Sequence, residues 1–382
     1  MEEREAQRVT RAGNLWPQIV SWDNLLDSAL LAARGKKRRP DVARFLFELE
    51  PNLCELQREL ESGIYLPGDY RSFWIHDPKA RLISAAPFRD RVVHHALTRV
   101  LERVFEPRFV SSSFASRRGF GQHKALSKAR AAVARYRYVL KCDIRKYFPS
   151  IDHQILKDLL ARAVKCKRTL DLAARIIDGS NEQEEVFGCF PGDTLFTAVE
   201  RKRGLPIGNQ TSQFFANVYL NPLDHFVVRE LRPARYLRYV DDFVLFGDDK
   251  ADLRAMRRRM EDLLAQLRLD LNGGKSRVYR CADGLSFLGW RLFPGNVRLR
   301  RRNVVNISRR LRGMSKSFHA GRIDFASVER RIMAWLGHAA FGNTWRLRQL
   351  LFDSFTLIEA EHGRRARGLL EQQSTERPGL EP

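Results

Sequence analysis

The chain has 382 residues, 44% of them hydrophobic and 10% aromatic, with 68 Lys+Arg against 45 Asp+Glu. That length allows two or three packed lobes, and that apolar content excludes wholesale disorder. The net charge of +23 repels itself on folding and points to a polyanionic partner such as nucleic acid, a generally basic solvated surface being the plain alternative.

The N-terminus, Met1-Glu2-Glu3-Arg4-Glu5, has neither the basic start nor the apolar stretch of a secretory signal. No run reaches the ~20 apolar residues that span a bilayer. Residues 1–70 read as mostly helical: Trp16, Ile19, Val20, Trp22, Leu25, Leu26, Leu30 and Leu31 recur at helical spacing, as do Val42, Phe45, Leu46 and Leu49 after Pro40. Lys36-Lys37-Arg38-Arg39 is the first of several separate basic patches. After the turn at Pro67-Gly68-Asp69-Tyr70, strands are expected at 72–76 and 80–84 around Asp77-Pro78-Lys79. Asp90 to Phe105 predicts a helix. Its His94-His95 pair lacks H-x-x-H spacing and reads as structural, with no zinc. Residues 111–123 read as loop.

Tyr136 to Asp143 predicts a strand that ends on a carboxylate. Helices are expected over 153–178, then a Gly/Pro-punctuated stretch to Pro206 and a helix from about Ser212 to Leu231. Tyr236 to Phe246 predicts a hairpin with Tyr239-Val240-Asp241-Asp242 at its tip. Leu253, Met256, Met260, Leu263, Leu264 and Leu267 mark an amphipathic helix. Strands follow at 276–280 and 285–293, a basic helical region at 303–357, and a frayed tail at 366–382. The mixture predicts an α+β fold with a helical C-terminal lobe. Five cysteines (Cys54, Cys142, Cys166, Cys189, Cys281) stand far apart with no C-x-x-C pair, which argues against a disulfide framework or cysteine-zinc site and for reduced thiols in the cytoplasm.

Asp241 and Asp242 lie side by side in an apolar run, which is costly unless a cation or solvent relieves the charge. A turn that uses Asp for its geometry is the simpler reading of that pair alone. Asp143 at the end of a second strand changes this, because two strands delivering carboxylates to one sheet end suit hard divalent cations such as Mg²⁺. Two such ions about 3.5–4 Å apart activate a 3′-hydroxyl and stabilise a leaving pyrophosphate.

Tyr239-Val240-Asp241-Asp242 resembles the Y-x-D-D box of reverse transcriptases, and Leu140-Lys141-Cys142-Asp143 through Phe148 resembles their first catalytic box. The similarity runs in the family's order over roughly residues 72 to 345. Arg81-Leu82-Ile83-Ser84, Phe88-Arg89-Asp90-Arg91 and Ser113-Phe114-Ala115-Ser116 resemble the fingers motifs. Leu205 through Gln213 resembles the box beneath the nascent base pair, Gly273-Gly274-Lys275 the fourth box, and Phe287-Leu288-Gly289-Trp290 the primer grip. Most relatives have Gln-Gly where this chain has Ile207-Gly208; the I-G-N-x-T-S-Q form, with Phe190-Pro191-Gly192-Asp193-Thr194-Leu195-Phe196, is similar to prokaryotic enzymes of diversity-generating retroelements, within the group II intron-like lineage.

The resemblance implies a right-hand polymerase: an N-terminal helical extension (1–70), fingers (71–135), a palm of antiparallel sheet plus helices (136–294, with a fingers return around 153–205), a helical thumb (295–365) and a flexible tail (366–382). It implies RNA-directed addition of dNTPs with two Mg²⁺ ions, Mn²⁺ substituting. Asp143, Asp241, Asp242 and the Ile144 carbonyl become the expected metal ligands. Lys275 is the expected acid for the departing pyrophosphate; an ordinary solvated lysine is its alternative. Lys79, Arg81 and Arg89 are candidates for the triphosphate, a structural ion pair being the rival for Arg89. Phe148 matches the residue that excludes a 2′-hydroxyl, or is an ordinary core aromatic. Ile207 and Gly208 lie under the base pair, Gly208 lacking a Cβ to intrude; Asn209 and Gln213 contact template or nucleotide, or cap the next helix.

Phe287 to Trp290 would position the primer end, or form a small hydrophobic strand. Arg298, Arg300, Arg301, Arg302, Arg309, Arg310 and Arg312 lie where a thumb grips an RNA–DNA hybrid through backbone and shape. The expected partners are template RNA, the hybrid, dNTPs and a small basic accessory protein, with no membrane. The resemblance implies frequent errors opposite template adenines, and losing an amide at Ile207 removes a hydrogen-bonding handle that would discriminate against mispairs. Two rival functions remain: a phage-defence polymerase copying an associated RNA, and a non-catalytic RNA-binding splicing helper.

Overall fold

Apolar residues at helical spacing bring the first half of the chain together. In the computed structural model, which describes residues 11–76, 80–180, 186, 188–194, 196, 200–353 and 355, the chain divides into two compact units, residues 1–128 with 136–279 and residues 129–135 with 280–382. Lys79 and the 366–382 tail lie outside the described residues.

In the first unit, helices α1 (Trp16–Val20), α2 (Trp22–Ala33), α3 (Pro40–Phe47) and α4 (Leu49–Ser62) surround α5 (Phe88–Phe105). Leu25, Ala29 and Ala33 of α2 share a fully buried cluster with Val92, Val93, Ala96 and Leu97 of α5. Ser21 caps α2 by accepting from Asn24 N–H, and Gly63 ends α4 in the left-handed conformation. Strands β1 (Arg71–Ile75) and β2 (Arg81–Ala85) form an antiparallel ribbon in which Phe73 faces Ile83. Helix α6 (Gln122–Arg135), divided between the two units after Lys128, has no counterpart in the sequence expectation, although Ala125, Ala129 and Ala132 carry a helical spacing.

The sheet that organises this unit has the order β4-β5-β3-β6, formed by β3 (Tyr138–Asp143), β4 (Arg235–Tyr239), β5 (Asp242–Gly247) and β6 (Arg277–Arg280). β5 pairs antiparallel with both β3 and β4. Alternation gives each strand two faces. Leu140, Cys142, Tyr236, Phe243 and Leu245 join the main core, with helices α8 (His153–Ala163), α10 (Gln210–Phe226) and α11 (Lys250–Gln266) supplying Leu156, Phe215, Tyr219 and Leu264. Lys141, Asp143 and Asp242 belong to the other face. The single helical turn α7 (Tyr147–Ser150) and helix α9 (Lys167–Asp178) complete the unit. The helix expected over 212–231 starts two residues earlier and leaves α-helical geometry at Phe226, continuing as a π-helical turn through Leu231. Pro222 lies inside it and withholds one N–H from the ladder.

In the second unit, β7 (Leu285–Phe287), β8 (Trp290–Phe293) and β9 (Asn296–Leu299) make an antiparallel three-stranded sheet. The basic region expected to be helical forms three helices, α12 (Arg301–His319), α13 (Phe325–Ala339) and α14 (Trp345–Asp353). Gly321, at φ +65, turns the chain after the first. Ile307, Leu311, Met314 and Leu351 form a small core there. No helix among the described residues is long and apolar enough to cross a membrane.

Candidate active site

The register of the first sheet sets Asp143, the last residue of β3, opposite Asp242, the first of β5. Tyr239 pairs with Asp242 on the other side, so β4 and β5 are joined by a loop of two residues, Val240 and Asp241. The loop tip is therefore Val240-Asp241, and Asp242 is a strand residue. Such loops favour the primed turns whose twist matches the strands. Here only the first loop residue, Val240, has positive φ (58°). Glycine is usual at that position, and a β-branched residue there is strained.

Three carboxylates thus meet at one sheet end, and their surroundings disfavour charge. Burial pushes the Asp242 carboxyl up to about 6, with Lys141 opposing and Asp241 and Asp143 adding to the rise. Burial raises Asp241 as well; Asp143 adds to the rise, while its own backbone N–H, Lys275 and Arg81 oppose it. Lys141 Nζ donates to Asp242 Oδ2 at 3.2 Å, and Lys275 Nζ donates to Asp143 Oδ2 at 2.5 Å. Lys275 stays about half exposed, so this ion pair faces solvent.

The chain beyond Asp143 offers one more oxygen. Asp143 C=O accepts from Asn272 N–H at 2.7 Å and Arg145 N–H donates to Asp270 C=O at 2.8 Å. These bonds flank the Ile144–Leu271 bridge, which puts Ile144 in the non-hydrogen-bonded position and directs its own carbonyl away from Leu271. Two crowded acids of raised affinity for protons, plus a main-chain carbonyl, are the oxygen donors that a hard divalent cation takes, although no three acidic, His or Cys side chains among the described residues are disposed as a complete metal cage. A bound cation would relieve the same repulsion that protonation relieves.

Residues 202–209 are stitched beside this sheet end from two directions. His153 N–H donates to Lys202 C=O, Gly204 N–H to Ile151 C=O and Leu205 N–H to Phe148 C=O. Asp152, fully buried, accepts from Arg268 at 2.5 Å and lies 3.4 Å from Arg201, which also pairs with Asp193. From the other side, Ser84 N–H of β2 donates to Ile207 C=O at 3.0 Å. Asn209 is buried, donating to Ser84 C=O at 3.0 Å and accepting from Ala86 N–H at 3.3 Å. Its side chain makes no cap to α10. Gly208 adopts φ +124, and a Cβ there would stand 3.1 Å from Ile83 Cγ2, so this position requires glycine. Gln213 accepts from Ser116 Oγ at 2.9 Å.

The other expected residues fall in different surroundings. Phe148 packs against the main core beside Tyr147. Arg89 is paired with Glu59 and lies over the Tyr65 ring, so its charge is already engaged structurally. Phe287 and Trp290 are fully buried in the second unit, where Trp290 packs on His338 and Phe341. Leu288 (φ 45°) and Gly289 (φ 86°) make the turn between β7 and β8. Arg298, Arg300, Arg301, Arg302, Arg309, Arg310 and Arg312 are exposed, Arg298 on β9, Arg300 at the N-terminal boundary of α12 without a side-chain cap, and the rest on α12.

The residues that sequence reasoning missed lie beneath the Val240 loop. Arg238 of β4 and Asp224 of α10 are both fully buried and form a two-pronged ion pair. The available signal was an arginine on the core-facing alternation of β4, two residues from Tyr236.

The family model described as reverse transcriptase (RNA-dependent DNA polymerase) matches residues 76–292. Protein YkfC of Escherichia coli (strain K12) is 27% identical over 291 residues, covering 66% of this chain and 74% of that protein. The group II intron-encoded protein LtrA of Lactococcus lactis subsp. cremoris is 25% identical over 183 residues, 47% of this chain and 29% of that protein. Nuclear intron maturase 1, mitochondrial, of Arabidopsis thaliana is 34% identical over 85 residues, 22% of this chain and 12% of that protein. The chain thus spans most of the first relative's length and less than a third of the other two.

Proposed function

The chain belongs to the reverse transcriptase family, a family of RNA-directed DNA polymerases, and from that premise we propose that it adds deoxynucleotides to a primer 3′-hydroxyl against an RNA template. The observation that carries this reading is the register of Asp143 against Asp242, with Asp241 in the adjoining loop. Asp143, Asp241 and the Ile144 carbonyl would hold two Mg²⁺ ions, or Mn²⁺ in their place, with Asp242 in support. Bound there, the cations would lower the pKa of the primer 3′-hydroxyl, so that it attacks as an alkoxide, and would neutralise charge on the leaving pyrophosphate.

The chain's own residues do the rest. Arg81, close enough to Asp241 to oppose its rise, and Lys79 neutralise the triphosphate. Lys275 orients the Asp143 carboxylate and holds a proton at Nζ for the departing group. Gly208 brings bare backbone to the base pair, and Phe148 bars a 2′-hydroxyl. Residues 71–135 act as fingers, 136–294 as palm and 295–365 as thumb. Phe287 to Trp290 support the primer end, and the arginines of β9 and α12 hold the hybrid by its phosphates. With purified protein, an RNA template and a DNA primer, extension is expected with Mg²⁺ and none with a chelator; failure to extend any RNA-templated primer contradicts the proposal.

The isoleucine at 207 refines it. Its carbonyl is engaged by Ser84 N–H, which leaves only an aliphatic side chain where an amide is usual. Error-prone copying is consistent with that loss of discrimination, and the similarity of the I-G-N-x-T-S-Q box to those of diversity-generating retroelements supports placing the chain in such an element with a small basic accessory protein. Sequencing of the cDNA is expected to show errors concentrated opposite template adenines, and a uniformly low error profile contradicts this refinement. A second reading, a splicing helper, is favoured by the intron-encoded and maturase names of the relatives above. It predicts tight binding to an intron RNA without primer extension. A phage-defence polymerase would instead extend a primer only on an RNA that co-purifies with it.

A further inference from the structure

A buried arginine is costly unless its donors are all used, because desolvation of a guanidinium exceeds what a single contact returns. Arg238 uses its donors in a way that reaches the acidic loop. Nε donates to Asp224 Oδ1 at 2.7 Å, and one terminal nitrogen donates to Asp224 Oδ2 at 2.5 Å. The other terminal nitrogen donates to Asn217 Oδ1 at 3.2 Å and to Val240 C=O at 3.0 Å. Asp224 is itself fixed by Tyr236 Oη, which donates to Oδ1 at 2.7 Å. Arg238 main chain is held as well: its N–H donates to Ser112 C=O at 2.8 Å, and its C=O accepts from Phe114 N–H at 3.0 Å. The guanidinium is therefore fixed in place before it meets the loop.

The group it holds is the one under strain. Val240 has φ 58°, a conformation that is strained for a non-glycine residue and persists only where its surroundings impose it. Its carbonyl belongs to the peptide that begins Asp241. We propose that Arg238, anchored by Asp224, is a positioning residue: it clamps the Val240 carbonyl, keeps this strained peptide in its turn and thereby aims the Asp241 carboxylate. The inference rests on the assignment of Asp241 to nucleotide addition. The fork geometry matters, since an ammonium can pair with Asp224 but cannot also span to Asn217 and Val240.

The test is single-nucleotide addition on a defined primer–template, with melting temperature and primer–template affinity measured in parallel. Arg238→Lys is expected to lower kcat roughly 10- to 100-fold, the range that released backbone strain can cost. Primer–template affinity should change by less than about threefold, because the clamp touches no nucleic acid. Val240→Gly in the Arg238→Lys background is expected to restore kcat at least about fivefold, because glycine adopts this φ without strain. Tyr236→Phe, which removes a bond to the same carboxylate but none to the loop, should keep most of the rate. If Arg238→Lys does not fold, the Asp224→Leu/Arg238→Met pair removes both buried charges together and carries the same expectation of loss and glycine rescue.

The proposal is overturned if Arg238→Lys works at the wild-type rate, if Tyr236→Phe costs as much, or if glycine at 240 restores nothing. Asp241→Ala in the same assay separates the two layers. Full activity there removes the nucleotide-addition assignment itself, whereas an inactive Asp241→Ala beside a fully active Arg238→Lys removes only the clamp.

Discussion

Asp143→Ala and Asp241→Ala are each expected to lower primer extension by roughly a thousandfold or more while leaving the fold intact. The size follows from the chemistry: a metal site contributes several kcal/mol of transition-state stabilisation, and each 1.36 kcal/mol is a factor of ten. The intact fold follows from the surroundings. Asp241 stands in a loop where burial and Asp143 already disfavour its charge, so its removal relieves repulsion. Loss of Asp143 frees Lys275, whose ammonium is half exposed and is taken up by water. Asp242→Asn is expected to be milder, because its carboxylate is tied to Lys141 and supports the other two. Single-turnover rates beside thermal melts check all three. Wild-type rates in either alanine variant would remove the catalytic assignment.

The largest effect on stability is expected in the second unit. Trp290 is fully buried, 5.4 Å from the Phe341 ring and 5.1 Å from His338, centroid to centroid. Gly342 packs so closely that a Cβ there would stand 2.4 Å from the indole. Trp290→Ala removes that contact surface and leaves a cavity, at a cost of about 3–5 kcal/mol. The indole N–H has no hydrogen-bond partner among the described residues, so its removal relieves a desolvation cost that offsets a small part of this loss. Trp290→Phe should cost less, by keeping part of the ring volume. Urea denaturation checks both, and an alanine variant as stable as the wild type would show that Trp290 is not the keystone of this unit. Of the two readings of Phe287 to Trp290, the buried side chains fit the hydrophobic strand, whereas the Leu288-Gly289 turn keeps partial exposure.

What could be read from the residues was whatever local pattern determines. Period-two alternation marked β3 and the β4–β5 hairpin, and a carboxylate at the end of each located the acidic cluster before any geometry. The amphipathic spacing of Leu253 to Leu267 marked α11 in the same way. Long-range pairing was not legible. Nothing in Asn221-Pro222-Leu223-Asp224 announces that Asp224 reaches Arg238, because an ion pair fourteen residues apart depends on how α10 lies on the sheet. Asn209 and Arg89 show the same limit from another side: each suited a contact with nucleotide, and each has its polar atoms engaged by distant protein partners. The interruptions that divide the basic C-terminal region into three helices were equally hidden, since a positive-φ glycine such as Gly321 looks in sequence like any glycine within a helical run.

Manganese binding tests the acidic cluster most directly, because it reads the ligands without requiring turnover. Titration of Mn²⁺ into the protein bound to a dideoxy-terminated primer, an RNA template and the matching dNTP, followed by electron paramagnetic resonance, should show two tightly held ions in the wild type. Asp143→Ala and Asp241→Ala should each weaken that binding at least tenfold, by analogy with the loss of any ligand or its support. Unchanged Mn²⁺ binding in both variants would contradict the account.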